Sequence, residues 1–435
     1  MGLDDVLSWH ASRRGRLVLT GGRVLTMDPE LGERHGDVVL EDGRIVDVTA
    51  VPGAGRNEND LVVDVSGGIV IPGLIDSHVH AWEGALRGLA PDAGIAEYWQ
   101  LTAMGVGPHM TPEDIAIGQR VTAAQALNGG VTTIVDNNHN IRSYAHAEAA
   151  VDALRDTGIR AVCALGLATG RPPGFAQDLL RLREAYFPGD DQLLRLRLFA
   201  VDPDGWSFAA REGLGVVAEI GGFVPGVDDL FATGLIGPDH TYNHCTDLTP
   251  AQWDLIVDGG AAVNVAPRSD AVGGFARSSA VVEAGRRALP FGISCDNEVL
   301  YGQDMFTEMR TLLAVQRTLA FGTDVEPLGT HDVLRAATAG GAVNAGLAGR
   351  VGTLRPGSRA DLVVLRTGDV VTRPAGPATG TVVNFMNQSH VEIVLVDGAP
   401  RKWAGALVGV DYPALAQAAE ASRDRLVGLL PPPGR

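Results

Sequence analysis

From residue 67 onward the chain alternates short, mostly apolar runs with longer segments of helical spacing. The apolar runs lie at residues 73–79, 131–137, 160–167, 195–201, 215–220, 241–245, 261–267 and 291–296. Near-continuous apolarity, rather than a polar residue at every second position, marks strands covered on both faces. Helical patterns separate several of them, at 112–127, 143–156, 251–257, 280–287 and 304–319. Thr111 before Pro112 and Thr249 before Pro250 have the form of an N-cap followed by a proline in the first turn. Eight buried strands with return segments predict an α/β fold, a (β/α)8 TIM-like barrel over residues 67–350, in preference to an open doubly wound sheet. No GxGxxG follows the first of these strands, so no nucleotide cofactor is expected.

The flanks are patterned differently. Runs at 17–20 and 23–27 surround Gly21-Gly22, and runs at 37–40 and 44–48 surround Glu41-Asp42-Gly43, a hairpin signal; residues 61–65 add another strand. Strands and turns return at 351–365 and 391–398. Residues 1–66 and 351–410 are therefore expected to form one small β-sandwich module from both chain ends. Residues 411–435 read as a closing helix, at 412–430, and a tail containing Pro431-Pro-Pro433.

Composition narrows the partners. The 435 residues carry a formal net charge of −17, which excludes nucleic acid and anionic membrane surfaces, since both select cationic proteins. No apolar run reaches the roughly 18 residues of a membrane span, and the N-terminal segment has no apolar core of secretory type. Cys163, Cys245 and Cys295 are too few and too scattered for a disulfide framework. The expectation is a cytoplasmic protein with a small-molecule substrate; self-association into a homo-oligomer is left open.

Candidate chemistry begins at His78 and His80, at the end of the first barrel strand. Residues i and i+2 of a strand face the same way, so the two imidazoles project together. Taken alone, His-x-His is equally a pair of surface histidines. In such a barrel, however, the active site forms at the C-terminal mouth, and other strand ends offer Asp136-Asn-Asn-His139, Glu219, Asn243-His244-Cys245 and Ser294-Cys295-Asp296-Asn297-Glu298. Histidines and a carboxylate from separate strands can converge on one divalent ion that keeps an open water position. Trp82, His139 and Asn297 are candidates for the substrate side, although Trp82 could pack a helix and His139 could shape its loop.

Seven stretches run in order over residues 16–400: Gly22-Arg-Val-Leu-Thr-Met-Asp-Pro29, Pro72-Gly-Leu-Ile-Asp-Ser-His-Val-His80, Gly130-Val-Thr-Thr-Ile-Val-Asp136, His244-Cys-Thr-Asp-Leu-Thr249, Ala266-Pro-Arg-Ser-Asp270, Asp304-Met-Phe-Thr-Glu-Met-Arg310 and Gly352-Thr-Leu-Arg-Pro-Gly-Ser-Arg-Ala-Asp-Leu362. In that combination the chain resembles the amidohydrolase superfamily, in its cytosine-deaminase-like and chlorohydrolase-like branch. The resemblance implies a barrel with an accompanying β-sandwich and one metal, zinc or iron. It also implies ligands from the first-strand His pair, a fifth-strand His, a sixth-strand His and an eighth-strand Asp. His78, His80, His244 and Asp296 match four of these positions, and Asp296 takes the role of general base toward metal-bound water. The two-metal arrangement with a carboxylated barrel lysine is excluded, because the single lysine is Lys402, beyond the barrel.

The fifth strand departs from the pattern. In one register Glu219 stands where the family has its His, and Gly222 where deaminases carry a proton-shuttling Glu. In another, Glu219 is the shuttle and Val216 the lost ligand. A carboxylate can hold zinc at about 2.0–2.2 Å, so Glu219 could replace the His or mark a weakened site. The function expected from the resemblance is a metal-dependent hydrolase of a non-peptide C–N bond, of deaminase or amidohydrolase type, acting on a small cyclic or heteroaromatic substrate. Isomerase, lyase or cyclase chemistry in the same pocket, or a non-catalytic binding protein, are the alternatives.

Overall fold

A computed structural model describes residues 2–12, 15–168, 170–274 and 279–430; the expected tail at Pro431-Pro-Pro433 lies outside them. Its strands are β1 (Leu17–Leu25), β2 (Glu33–Glu41), β3 (Arg44–Val48), β4 (Leu61–Asp64), β5 (Ile69–Pro72), β6 (Leu74–Val79), β7 (Val131–Asn138), β8 (Arg160–Leu165) and β9 (Leu194–Phe199). They continue with β10 (Val216–Gly221), β11 (His240–Thr246), β12 (Ala262–Val265), β13 (Phe291–Ile293), β14 (Leu362–Leu365), β15 (Val391–Val396), β16 (Ala399–Trp403) and β17 (Ala406–Leu407).

Both chain ends share one nine-stranded sheet, ordered β17-β16-β15-β14-β5-β1-β2-β3, with β4 on β1. The ends meet where β14 pairs antiparallel with β5, Leu362 opposite Pro72 and Leu365 opposite Ile69. Its core gathers Leu17, Leu19, Leu40, Ile45, Leu362 and Leu395, and the helix Leu3–Ser12 adds Val6 and Trp9. That helix has too few inward residues to register as a periodic pattern, which is why the sequence did not announce it.

The remaining strands, β6 to β13, form a second sheet in sequence order, with parallel pairing from β8 through β13. A parallel bridge joins Val79 to Asp296: His80 N donates to Asp296 O at 2.8 Å and Asp296 N to His78 O at 2.9 Å. This bridge draws the end of the eighth strand back onto the first and all but closes the (β/α)8 barrel. Strands β6, β7, β8, β10, β11 and β12 are buried along their whole length, as burial on two faces requires. Helices Pro112–Asn128, Tyr144–Thr157, Pro250–Gly259, Ala280–Arg286 and Met305–Ala320 follow the expected pattern to within a residue or two. Two strands are shorter than expected. Strand β12 stops before Pro267, which opens the helix Pro267–Val272, and β13 stops before Asp296, whose φ of 68° is incompatible with a strand.

By its contacts the chain divides into two compact units. One comprises Met1–Ser77, Ala126–Thr133 and Asp304–Gly409, the other His78–Gln125, Ile134–Gln303 and Val410–Arg435. The second contains every site residue discussed below. Among the described residues no helix is long and apolar enough to cross a membrane.

Candidate metal centre

The first strand starts hard against the second: a Cβ on Gly73 would lie 1.9 Å from Thr132 Oγ1, so only glycine fits. Beyond His80 the chain enters a 3-10 turn, Ala81–Leu86, packed closely under the helix Pro112–Asn128. A Cβ on Gly118 would meet Trp82 O at 2.4 Å, and one on Gly84 would meet Gly118 O at the same distance. Asp136, at the end of β7, pins the start of the turn by accepting from Ala81 N at 3.1 Å and from Gln119 Nε2 at 2.7 Å.

Two histidines are held from behind. His80 Nδ1 lies 2.8 Å from the Asn137 carbonyl oxygen; that oxygen only accepts, so Nδ1 carries a proton and Nε2 is the nitrogen turned inward. His244 Nδ1 likewise donates to Asp270 Oδ1 at 2.7 Å. An orienting acceptor of this kind is what metal-binding imidazoles use. His244 and Cys245 both have left-handed backbone, φ 65° and 50°, and Asp296 has φ 68°. The register slips between Ile220, opposite His244, and Gly221, opposite Thr246, leaving Cys245 as the bulged residue. Such backbone costs about 1–3 kcal/mol per residue and is retained where surroundings impose it.

The inward atoms converge. His78 Nε2 is 3.2 Å from His80 Nε2, 3.2 Å from Glu219 Oε1 and 3.4 Å from Asp296 Oδ1. His80 Nε2 is 3.3 Å from Asp296 Oδ1, and His244 Nε2 is 3.1 Å from Glu219 Oε2 and 4.0 Å from Asp296 Oδ2. Donors arranged tetrahedrally about an ion at ~2.1 Å stand ~3.4 Å from one another. Asn137 Nδ2 and Asn243 Nδ2 steady Glu219 Oε1 at 3.3 and 3.4 Å, and Ser269 Oγ donates to Asp296 Oδ2.

The electrostatics point the same way. Burial opposes ionisation of Glu219, yet His78 and His244 hold it well below the usual carboxylate range. Asp296 is lowered likewise, by His78, His80 and His244 against burial. Burial also opposes charging of His80, but Asp296, Glu83 and Glu219 carry its pKa up to about 10. Two ionised carboxylates in a water-poor pocket require positive charge at their midpoint. Imidazolium protons supply it without an ion; a divalent cation bound to neutral imidazoles supplies it better. The donor set, its spacing and its charge all fit one such cation.

Of the predicted residues, His78, His80, Glu219, His244 and Asp296 are thus brought together; within the described residues, His78–His80–Asp296 and His78–Glu219–His244 are the clusters able to grip an ion. Asn297 is spent locally, its Oδ1 accepting from Leu300 N at 3.1 Å and its Nδ2 reaching Asp296 Oδ2 at 3.5 Å. Trp82 and His139 lie side by side, ring centroids 5.4 Å apart. Burial, then the charge of His80, pushes His139 well below the ordinary histidine range, so its imidazole is neutral. Sequence reasoning did not assign the supporting roles of Asp270, Asn243 and Gln119. Asp270 closes one of the seven ordered stretches, and that was its available signal.

The profile of the Amidohydrolase family matches residues 69–187 and 241–400. The chain is 27% identical to a 5-methylthioadenosine/S-adenosylhomocysteine deaminase of Desulforudis audaxviator, covering 90% of this chain and 95% of that one. It is 24% identical to a 5'-deoxyadenosine deaminase of Methanosarcina mazei, covering 88% and 91%. An adenosine deaminase from Xanthomonas campestris with bound zinc superposes with a TM-score of 0.84 at 23% identity, over 95% of this chain and 98% of that one. The atrazine chlorohydrolase of Arthrobacter aurescens complexed with zinc gives 0.81 at 20% identity, over 94% and 100%.

Proposed function

The chain belongs to the amidohydrolase family, and from that membership and the geometry of its centre we propose that it is a metal-dependent hydrolase. The bond cleaved is a non-peptide C–N bond of a small cyclic or heteroaromatic substrate. The carrying observation is the convergence of three imidazole Nε2 atoms and two ionised carboxylates on one buried point. His78, His80, Glu219, His244 and Asp296 would together hold a single divalent ion. Zinc in the two superposed structures favours zinc over iron. When bound, the ion supplies Lewis acidity and brings a water's pKa toward neutrality.

The chain's own residues do the rest. Asp296 is fixed by Ser269 through one oxygen and faces both strand-one histidines with the other, the position of a general base toward water at the centre. His244, locked by Asp270, fixes the direction of attack. With Glu219 taken as a ligand, Gly222 stands at the shuttle position and Asp296 would also return the proton to the leaving nitrogen; with Glu219 as the shuttle, that step would be Glu219's. The test is a panel of adenosine, S-adenosylhomocysteine, 5'-deoxyadenosine, cytosine and atrazine, with ammonia, alkylamine and chloride release followed for zinc- and iron-loaded protein. At least one compound is expected to turn over, with loss on chelation, recovery on metal addition and loss in Asp296→Asn. Turnover that survives chelation, or no metal-dependent turnover across the panel, contradicts the proposal.

A further inference from the structure

We propose that His139 is the substrate-orienting residue of this centre and that it selects planar heteroaromatic amines. His139 follows β7 directly and is 2% exposed, yet neither of its ring nitrogens has a hydrogen-bond partner in any other described residue. The same is true of the indole Nε1 of Trp82, which is fully buried. These unmet groups sit in an aromatic box. From the His139 ring, His80 lies 4.3 Å away, Trp99 5.6 Å at an interplanar angle of 25°, and Phe199 5.5 Å.

Packing alone does not account for this. A buried histidine kept for structure has its nitrogens satisfied, because an unpaired buried polar atom loses its hydration without return. Three other buried histidines have a nitrogen met in that way: His80 Nδ1 on Asn137 O, His244 Nδ1 on Asp270, His240 Nδ1 on Tyr242 Oη. No other described residue meets either His139 nitrogen, one ring away from His80.

A neutral imidazole offers one donor and one acceptor, and indole N–H offers a second donor. Their complement is a ligand with ring-nitrogen lone pairs and an exocyclic N–H. It must also be flat enough to lie along the aromatic walls, of which Trp99 is only partly buried. A heteroaromatic ring amine has those features; a hydrocarbon ring, a sugar or an aliphatic amide lacks one or more. Held there, the ring lies beside His80 and hence beside the hydrolytic centre. The inference rests on the hydrolase reading for the fate of the ligand, but not for its selection.

Calorimetric titration of the metal-loaded full-length protein with adenine, cytosine and melamine, against indole and toluene, separates the two. At least one ring amine is expected to bind about tenfold tighter than the apolar rings, about 1.4 kcal/mol. His139→Phe keeps the ring and removes both nitrogens; it is expected to shrink that preference to within about twofold, with metal stoichiometry and melting temperature retained. His139→Gln restores a donor and an acceptor and should recover part of the preference, which a purely structural role would not. Trp82→Phe gives an independent reading through a several-fold loss should His139→Phe fold poorly. Absence of any preference in the native protein, or its survival in His139→Phe, overturns the inference. Intact selectivity without any metal-dependent release of amine overturns the hydrolase reading instead.

Discussion

Exchanging Glu219 for Gln removes one charge from the centre and almost no volume. The native carboxylate contacts His78 Nε2 at 3.2 Å and His244 Nε2 at 3.1 Å, and takes two amide donors besides. An amide cannot accept at both oxygen positions: with its oxygen toward Asn137 and Asn243, its NH2 would face His244 Nε2. Charge-assisted contacts contribute roughly 1.5–3 kcal/mol each. With the side chain only 7% exposed, solvent does little to screen them. Those contacts hold the ion-free centre; removing the ligand itself should cost metal affinity at least the roughly 10–100-fold that removing an orienting partner costs. Competition with a chromogenic chelator at fixed pH measures it, and Glu219→His, which returns a nitrogen donor, should recover most of the loss. Affinity of Glu219→Gln within about threefold of native refutes a ligand role. Retained affinity with lost turnover would move Glu219 to proton transfer.

Asp270→Asn leaves His244 in place but weakens the acceptor that orients it, so metal affinity or turnover should fall about 10–100-fold; an unchanged variant would show that the 2.7 Å contact is incidental. Metal affinity should rise with pH. His80 has a raised pKa of about 10 in the metal-free protein, so at neutral pH the ion must expel its proton, and affinity gains about tenfold per pH unit per proton released until that pKa is passed. Calorimetry in buffers of different ionisation enthalpy reads the released proton, and pH-independent binding without release would contradict the assignment. Gly118→Ala places a methyl 2.4 Å from Trp82 O and should cost about 1–3 kcal/mol through overpacking; a melting temperature equal to native would show that the helix can move aside.

The barrel was legible because strands covered on both faces tend toward apolar runs, and most of β6 through β12 supply them, β9 with its alternating arginines excepted. The meeting of the chain ends was legible too, from strand signals at residues 17–65 and 351–398. The helices Phe175–Tyr186 and Pro203–Glu212 were not picked out. The convergence of His78, His80, Glu219, His244 and Asp296 was legible from the strand ends, but the strand-five register was not. Strand periodicity leaves open which neighbours Glu219 faces; the structure pairs it opposite Asn243 and sets it against His78 and His244. Asp270 reaches His244 across 26 residues, beside a left-handed bulge that no local propensity announces. The box around His139 joins side chains from β9, the loop after β7 and the segment after β6, and appears only once the strands are closed into a barrel.

Anomalous diffraction at the zinc edge, from crystals of the zinc-loaded protein, tests the single-ion centre most directly. The expected result is one peak within about 2.0–2.2 Å of His78 Nε2, His80 Nε2 and a Glu219 oxygen, lost in Glu219→Gln. A peak elsewhere, two peaks in the barrel mouth, or none at full zinc occupancy of the solution would contradict it.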